Sequence, residues 1–201
     1  MAKISKSEDY SKAVQNFTKI IELNTDKDGS VIALVRSEVA LAYQNRADCY
    51  REVGELEKAI SDYSESVYLM SDNFIAYNSR GEIYETLGEY DKAIADYNAA
   101  IETDGDSYDN STYFYNRGRV YYLLKQYDKA ASDFLEAIKI DYPSTSKNCE
   151  PAILLLNDVI KFNPDYVEAY DIRGEYYESL EKINEAEADF KKAEELSRIM
   201  L

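Results

Sequence analysis

The sequence predicts an all-α solenoid of antiparallel helix pairs, about ten helices in all. Three observations predict it. Two short motifs recur in register along the chain, and self-similarity at a fixed period marks a repeat architecture. Only 3 prolines and 7 glycines interrupt 201 residues, so long regular elements are allowed. The chain is 45% hydrophobic and 31% charged, which describes a folded chain long enough to bury a core.

The first motif reads Asn-Arg-Ala-Asp-Cys-Tyr at 45–50, Ser-Arg-Gly-Glu-Ile-Tyr at 79–84, Asn-Arg-Gly-Arg-Val-Tyr at 116–121 and Ile-Arg-Gly-Glu-Tyr-Tyr at 172–177. A second motif follows each, ending at Tyr63, Tyr97, Phe134 and Phe190. Tyr50 to Tyr84 is 34 residues, and Tyr84 to Tyr121 is 37, one period plus a three-residue insertion. Within every repeat the first tyrosine precedes the second motif's alanine (Ala59, Ala93, Ala130, Ala186) by 9 residues.

The elements follow in order. A half repeat spans 5–25, where Tyr10, Ala13, Phe17 and Ile20 read as a second helix without its first. Full repeats span 40–73, 74–107, 111–144 and 167–200. In each, a small residue of the first helix (Ala47, Gly81, Gly118, Gly174) and an alanine of the second allow close approach, and aromatics fill the space around the contact. Gly54 and Gly88 stand at the turn between helices. An extra half repeat, 146–166, carries Ala152, Leu156, Val159 and Phe162 and again reads as a second helix. Two second helices in succession break the alternation, so irregular stacking is expected near 141–150. One pair cannot bury its apolar face alone, which makes the whole chain, 1–201, a single stacked array.

A small residue, a tyrosine three positions on, then Ala and an aromatic at fixed offsets over 34 residues resembles the tetratricopeptide repeat. The proline that usually closes the pattern is mostly replaced, with Ser71 and Gly105 at its place. The resemblance implies a right-handed superhelical solenoid whose concave face, built of first helices, binds an extended peptide or partner helix. Transferring the register gives the expected lining: Gln44, Asp48 and Arg51; Asn78, Glu82 and Glu85; Tyr115, Asn116, Arg119 and Tyr122; Asp171, Glu175 and Glu178. Tyr115, Arg119 and Tyr122 share one helix face and are residue types that dominate binding hot spots. The alternative is that these aromatics pack against the irregular helix after residue 147. One subfamily clamps C-terminal carboxylates with lysines and asparagines. Asn45 and Asn116 fit that pattern, but Gln44, Asn78, Glu52 and Thr86 replace its lysines, so no such clamp is expected.

Arginine recurs in every first helix (Arg46, Arg80, Arg117, Arg173) and aspartate in every paired second helix (Asp62, Asp96, Asp133, Asp189). The half repeats lack the arginine-bearing helix and carry Asn16 and Leu155 at the aspartate position. A repeated, partly buried Arg–Asp bridge is expected.

Asp and Glu total 39 against 23 Lys and Arg, a formal charge of −16. Such a chain repels nucleic acid and anionic membranes and favours basic protein or peptide partners. There is no histidine, no glycine-rich phosphate loop and no metal-ligand pair, so no enzyme, cofactor or metal site is expected. The run Asp104–Asp109 lacks the full ligand spacing of a calcium loop. Cys49 and Cys149 are expected as reduced thiols in a cytoplasmic protein. The end Arg198-Ile-Met-Leu201 has no polar capping helix, which raises the alternative of a self-assembling module, a homodimer through its C-terminal helix.

Overall fold

The computed structural model describes residues 2–25, 31, 35–104, 110–141 and 150–199. Among them lie ten α-helices and a single isolated bridge, Thr25 with Val31. The chain divides into two compact blocks, Met1–Gly105 and Asp106–Leu201. The first holds α1 (Ala2–Leu23), α2 (Arg36–Glu52), α3 (Leu56–Leu69), α4 (Phe74–Thr86) and α5 (Tyr90–Asp104). The second holds α6 (Asn110–Leu123), α7 (Tyr127–Asp141), α8 (Glu150–Phe162), α9 (Val167–Ser179) and α10 (Ile183–Ile199). The four full repeats are the pairs α2–α3, α4–α5, α6–α7 and α9–α10, and α1 and α8 are the two half repeats.

The small residues of the first helices explain how closely the pairs nest. A Cβ placed on Gly81 would lie 2.8 Å from Cε1 of Tyr97, one on Gly118 2.8 Å from Cε1 of Phe134, and one on Gly174 2.5 Å from Cε1 of Phe190. The second-helix alanines and aromatics close the contact, and Ala59, Tyr63, Ala93 and Tyr97 are fully buried. Burying aromatics of this size is the main apolar contribution of each pair.

The turns within pairs are identical in design. Gly54 and Gly88 take φ +84° and +74°, and the next amide bonds back to the first-helix tyrosine carbonyl: Glu55 to Tyr50 and Glu89 to Tyr84, both 2.9 Å. This is the left-handed termination that glycine favours. In the third and fourth repeats Lys125 (φ 60°) and Glu181 (φ 59°) do the same, with Gln126 N bonded to Tyr121 O and Lys182 N to Tyr177 O. Between repeats, Asn73 caps α4. Its Oδ1 accepts from Ala76 N, and its amide donates to Gln44 Oε1 at 2.8 Å and Ser66 Oγ at 3.0 Å. Ser66 in turn donates to Ala40 O, so one buried polar cluster pins α4 to both α2 and α3.

In the second block α8 is packed into a single core with α7 and α9, through Leu135, Ile138, Leu156, Val159, Ala169 and Tyr176. The stretch expected to be irregular, 141–150, lies almost entirely outside the described residues, as do Cys149 and 105–109 of the acidic loop. Cys49 is buried, and burial pushes its thiol pKa up.

Candidate functional site

The arginine and aspartate series forms four forked bridges of nearly identical geometry. Nε and Nη2 of the arginine donate to the two aspartate oxygens in Arg46–Asp62 (2.6 and 2.7 Å), Arg80–Asp96 (2.8 and 2.6 Å), Arg117–Asp133 (2.8 and 2.6 Å) and Arg173–Asp189 (2.7 and 2.6 Å). The aspartate side chains are 7–8% exposed and the arginines 14–18%, so the pairs lie in the core of each repeat. The hydrogen bond to Asp62, and likewise that to Asp189, raises the pKa of Arg46 and Arg173. Each guanidinium also lies over the ring three residues before it: Tyr43, Tyr77, Phe114 or Tyr170.

A third partner was not foreseen from the sequence. The remaining Nη1 reaches back to the preceding helix: Arg46 to Thr18 Oγ1 (2.9 Å), Arg80 to Ser64 Oγ (2.9 Å) and Arg173 to Asn157 Oδ1 (2.5 Å). Arg46, Arg80 and Arg173 thus each join three helices. The signal was present in the chain. Two residues after the aspartate register stand Thr18, Ser64, Asn98 and Asn157 in the helices that precede an arginine-bearing helix. In α7, which precedes α8, that position is Leu135, fully buried in the apolar core.

With the arginines of the motif occupied inside the repeats, the candidate binding side chains are those the first helices present beside them. In the first block these form a linked row on α2 and α4. Tyr63 OH donates to Asp48 Oδ1, and Tyr97 OH donates to Glu85 Oε2 at 3.0 Å. Burial, then the hydrogen bond to Asp48, pushes the Tyr63 hydroxyl pKa well up, so it remains a donor. Arg51 Nη1 crosses from α2 to Glu82 Oε2 on α4 at 2.9 Å, and Asn78 Nδ2 holds the other oxygen at 3.1 Å. A cleft of about 350 Å³ opens beside this bridge, lined by Arg51, Glu52, Leu56, Glu82, Ile83 and Thr86. Carboxylates outnumber cations here, and their positions are fixed by neighbours rather than by solvent. Gln44 is not part of the exposed row. It is buried and spent on Asn73, a consequence of the cap that starts α4.

In the second block Tyr115 and Tyr122 are 42% and 37% exposed, Arg119 is exposed, and Asn116 is buried. Tyr115 packs against Phe134 of its own repeat at 5.6 Å. Tyr122 meets Phe162 at the end of α8 edge-on at 4.7 Å, with Tyr127 completing a three-ring cluster. Both readings of this group therefore have a physical basis: the rings lean on neighbours yet keep a third or more of their surface open. Asp171, Glu175 and Glu178 are exposed on α9, and burial with the nearby Glu168 raises the Asp171 carboxyl. The structure groups Asp48, Arg51, Asn78, Glu82 and Glu85 in one block and Tyr115, Arg119, Tyr122 and the α9 acids in the other.

No helix among the described residues is long and apolar enough to cross a membrane. Stacked helix pairs with a polar, ordered first-helix surface define a helical-repeat protein. The chain belongs to the tetratricopeptide repeat family: models of that repeat match residues 72–142, 40–73 and 167–199. They leave out 143–166, the stretch that holds α8. No curated protein sequence matches the chain. Among solved structures it is similar to MamA, at 20% identity over 98% of this chain and 94% of that one, TM-score 0.53. It is similar to YrrB, described as a TPR protein with an unusual peptide-binding site, at 23% identity over 90% and 91%, TM-score 0.51. It is also similar to the first TPR of Spaghetti (RPAP3) bound to HSP90 peptide SRMEEVD, at 20% identity over 64% and 93%, TM-score 0.53. At these identities the likeness concerns the fold.

Proposed function

We propose that this chain is a non-catalytic protein-interaction scaffold of the cytoplasm. Its first-helix surface holds a partner peptide or helix that carries basic residues. The observation that carries the reading is the ordered acidic row of α2 and α4, Asp48, Glu82 and Glu85, each held by a named donor. Preset carboxylates cost a guest little reorganisation. A chain charge of −16 speeds encounter with a cationic partner. Tyr115, Arg119 and Tyr122 offer an aromatic anchor point on the second block, next to the acids Asp171, Glu175 and Glu178 of α9 in sequence register.

Relatives of the same fold support a peptide ligand, since two are described by the peptide site or peptide they carry. The sign of the ligand differs. SRMEEVD is an acidic peptide, and the row on α2 and α4 would repel it. The test is fluorescence anisotropy with a labelled lysine- and arginine-containing peptide bearing one aromatic anchor, against an acidic control. Wild type should prefer the basic peptide. Glu82→Gln with Glu85→Gln should weaken it about tenfold, the effect of losing rim charges plus one desolvated contact. Equal affinity for both peptides would sink the reading. Self-assembly is the second reading, favoured by Ile199, 79% exposed at the end of α10. Light scattering that stays monomeric over a wide concentration range removes it.

A further inference from the structure

We propose that the second-helix face of α1 (Lys12, Ala13, Asn16, Phe17 and Ile20) is a docking surface for one amphipathic helix of a partner protein. That helix carries a glycine or alanine, an aromatic ring three residues later, and no arginine beside the small residue.

The four full repeats show what such a face is built to receive. In α3 and α5 the alanine and aromatic, Ala59 with Tyr63 and Ala93 with Tyr97, are 0% exposed under a first helix. Their register partners in α1, Ala13 and Phe17, are only half-buried, and Asn16 is exposed where Asp62 and Asp96 are buried. The sharpest difference lies one turn further on. Ser66 and Ala100 are 0% exposed and Ala137 and Ala193 at most 5%, whereas Ile20, in the same register, is 40% exposed. An apolar side chain thus stands open at a place that every full repeat covers.

The chemistry of the occupant follows from the residues that wait for it. Lys58, Lys92 and Lys129 lie over the rings of Tyr50, Tyr84 and Tyr121 at 5.3, 5.1 and 5.2 Å. Lys12 holds the same register and is exposed, so it complements an aromatic ring on the arriving helix. Asn16 replaces the aspartate that would neutralise an arginine. A helix bringing an arginine here would bury an unpaired charge, which selects against it. The face also continues an interface already formed: Phe17, half-buried at its border, packs with Ile21 against Val39 and Ala42 of α2, and Thr18 takes a bond from Arg46. The surface is separate from the acidic row of α2 and α4 and does not depend on it.

The probe is a stapled helix copying α4, Phe74–Thr86, in its natural form and with Arg80→Leu, titrated against the whole chain by fluorescence anisotropy. The Leu form should bind about tenfold tighter than the natural form. Ile20→Lys should weaken it about tenfold. Asn16→Asp should reverse the preference between the two probes. Both positions are exposed, so circular dichroism should show the fold unchanged in both variants. Three results overturn the proposal: neither probe binds, Ile20→Lys binds the Leu form as tightly as wild type, or the preference survives Asn16→Asp. Self-association that Ile20→Lys abolishes also overturns it, because a second copy then covers the face.

Discussion

The guanidinium of Arg80 satisfies two oxygens of Asp96 and one of Ser64 at once, an arrangement that a lysine ammonium has no fork to reproduce. Because the pair is 14% and 8% exposed, truncating one side leaves the other charge buried without a partner. Arg80→Ala should therefore cost about 3–5 kcal/mol in urea denaturation, and Arg36→Ala, on an exposed arginine, under about 1 kcal/mol. Ser64→Ala should cost about 1 kcal/mol, and the double variant should fall short of the sum, since either single change already breaks the bond between Arg80 and Ser64. Equal costs for Arg80→Ala and Arg36→Ala would refute the buried bridge. The two-membered bridge was legible, because arginine and aspartate occur together in full repeats and neither half repeat has the pair. The third member was not read, because hydroxyl and amide side chains at Thr18, Ser64 and Asn157 do not share a charge or a shape, only a position.

Helix ends show a second limit of legibility. Gly54 and Gly88 mark their turns by residue type, while Lys125 and Glu181 adopt the same left-handed backbone without announcing it. A side chain in that region costs on the order of 1 kcal/mol. Lys125→Gly and Glu181→Gly should each raise stability by about 0.5–1 kcal/mol, seen as a higher urea midpoint with an unchanged slope. A lower midpoint would mean that Lys125 or Glu181 contributes more by its side chain than it loses by its backbone. Register told which face of a first helix was meant, but not how deep each side chain lies. Gln44 and Asn116 share the face of Asp48 and Arg119 and are nonetheless buried, Gln44 by a cap residue 29 positions away. Helix α8 was recognised as a second helix without a first, and its Asn157 does serve Arg173 in that capacity. Its packing against Tyr122 and Tyr127 at the other end was open in the sequence, because an aromatic at helical spacing fits a core as well as a binding face.

Across the whole chain the charge imbalance acts on folding and on association in opposite directions. The excess of 39 acids over 23 bases leaves a net negative charge that repels itself in the compact state, and added salt screens that repulsion. Raising salt from about 20 mM to about 200 mM should therefore raise the melting temperature while weakening binding of a basic peptide several-fold. A melting temperature that falls with salt would mean that the ion-pair series outweighs the net repulsion. The overall class was readable because the motif repeats. The division into Met1–Gly105 and Asp106–Leu201 was not, since the spacing of the motifs crosses that boundary with only a three-residue insertion.

Leu135 has a consequence for how such a chain could have grown. A seam closed by a hydroxyl or amide that accepts from an arginine favours a neighbour with an arginine at that position, so it proofreads what is added next. A greasy seam has no such requirement and accepts a helix of the wrong phase at little penalty. The junction after α7 is therefore where an extra module can be spliced in without breaking an arginine stitch, whereas removing α8 would take Asn157 from Arg173 and set Leu135 in its place.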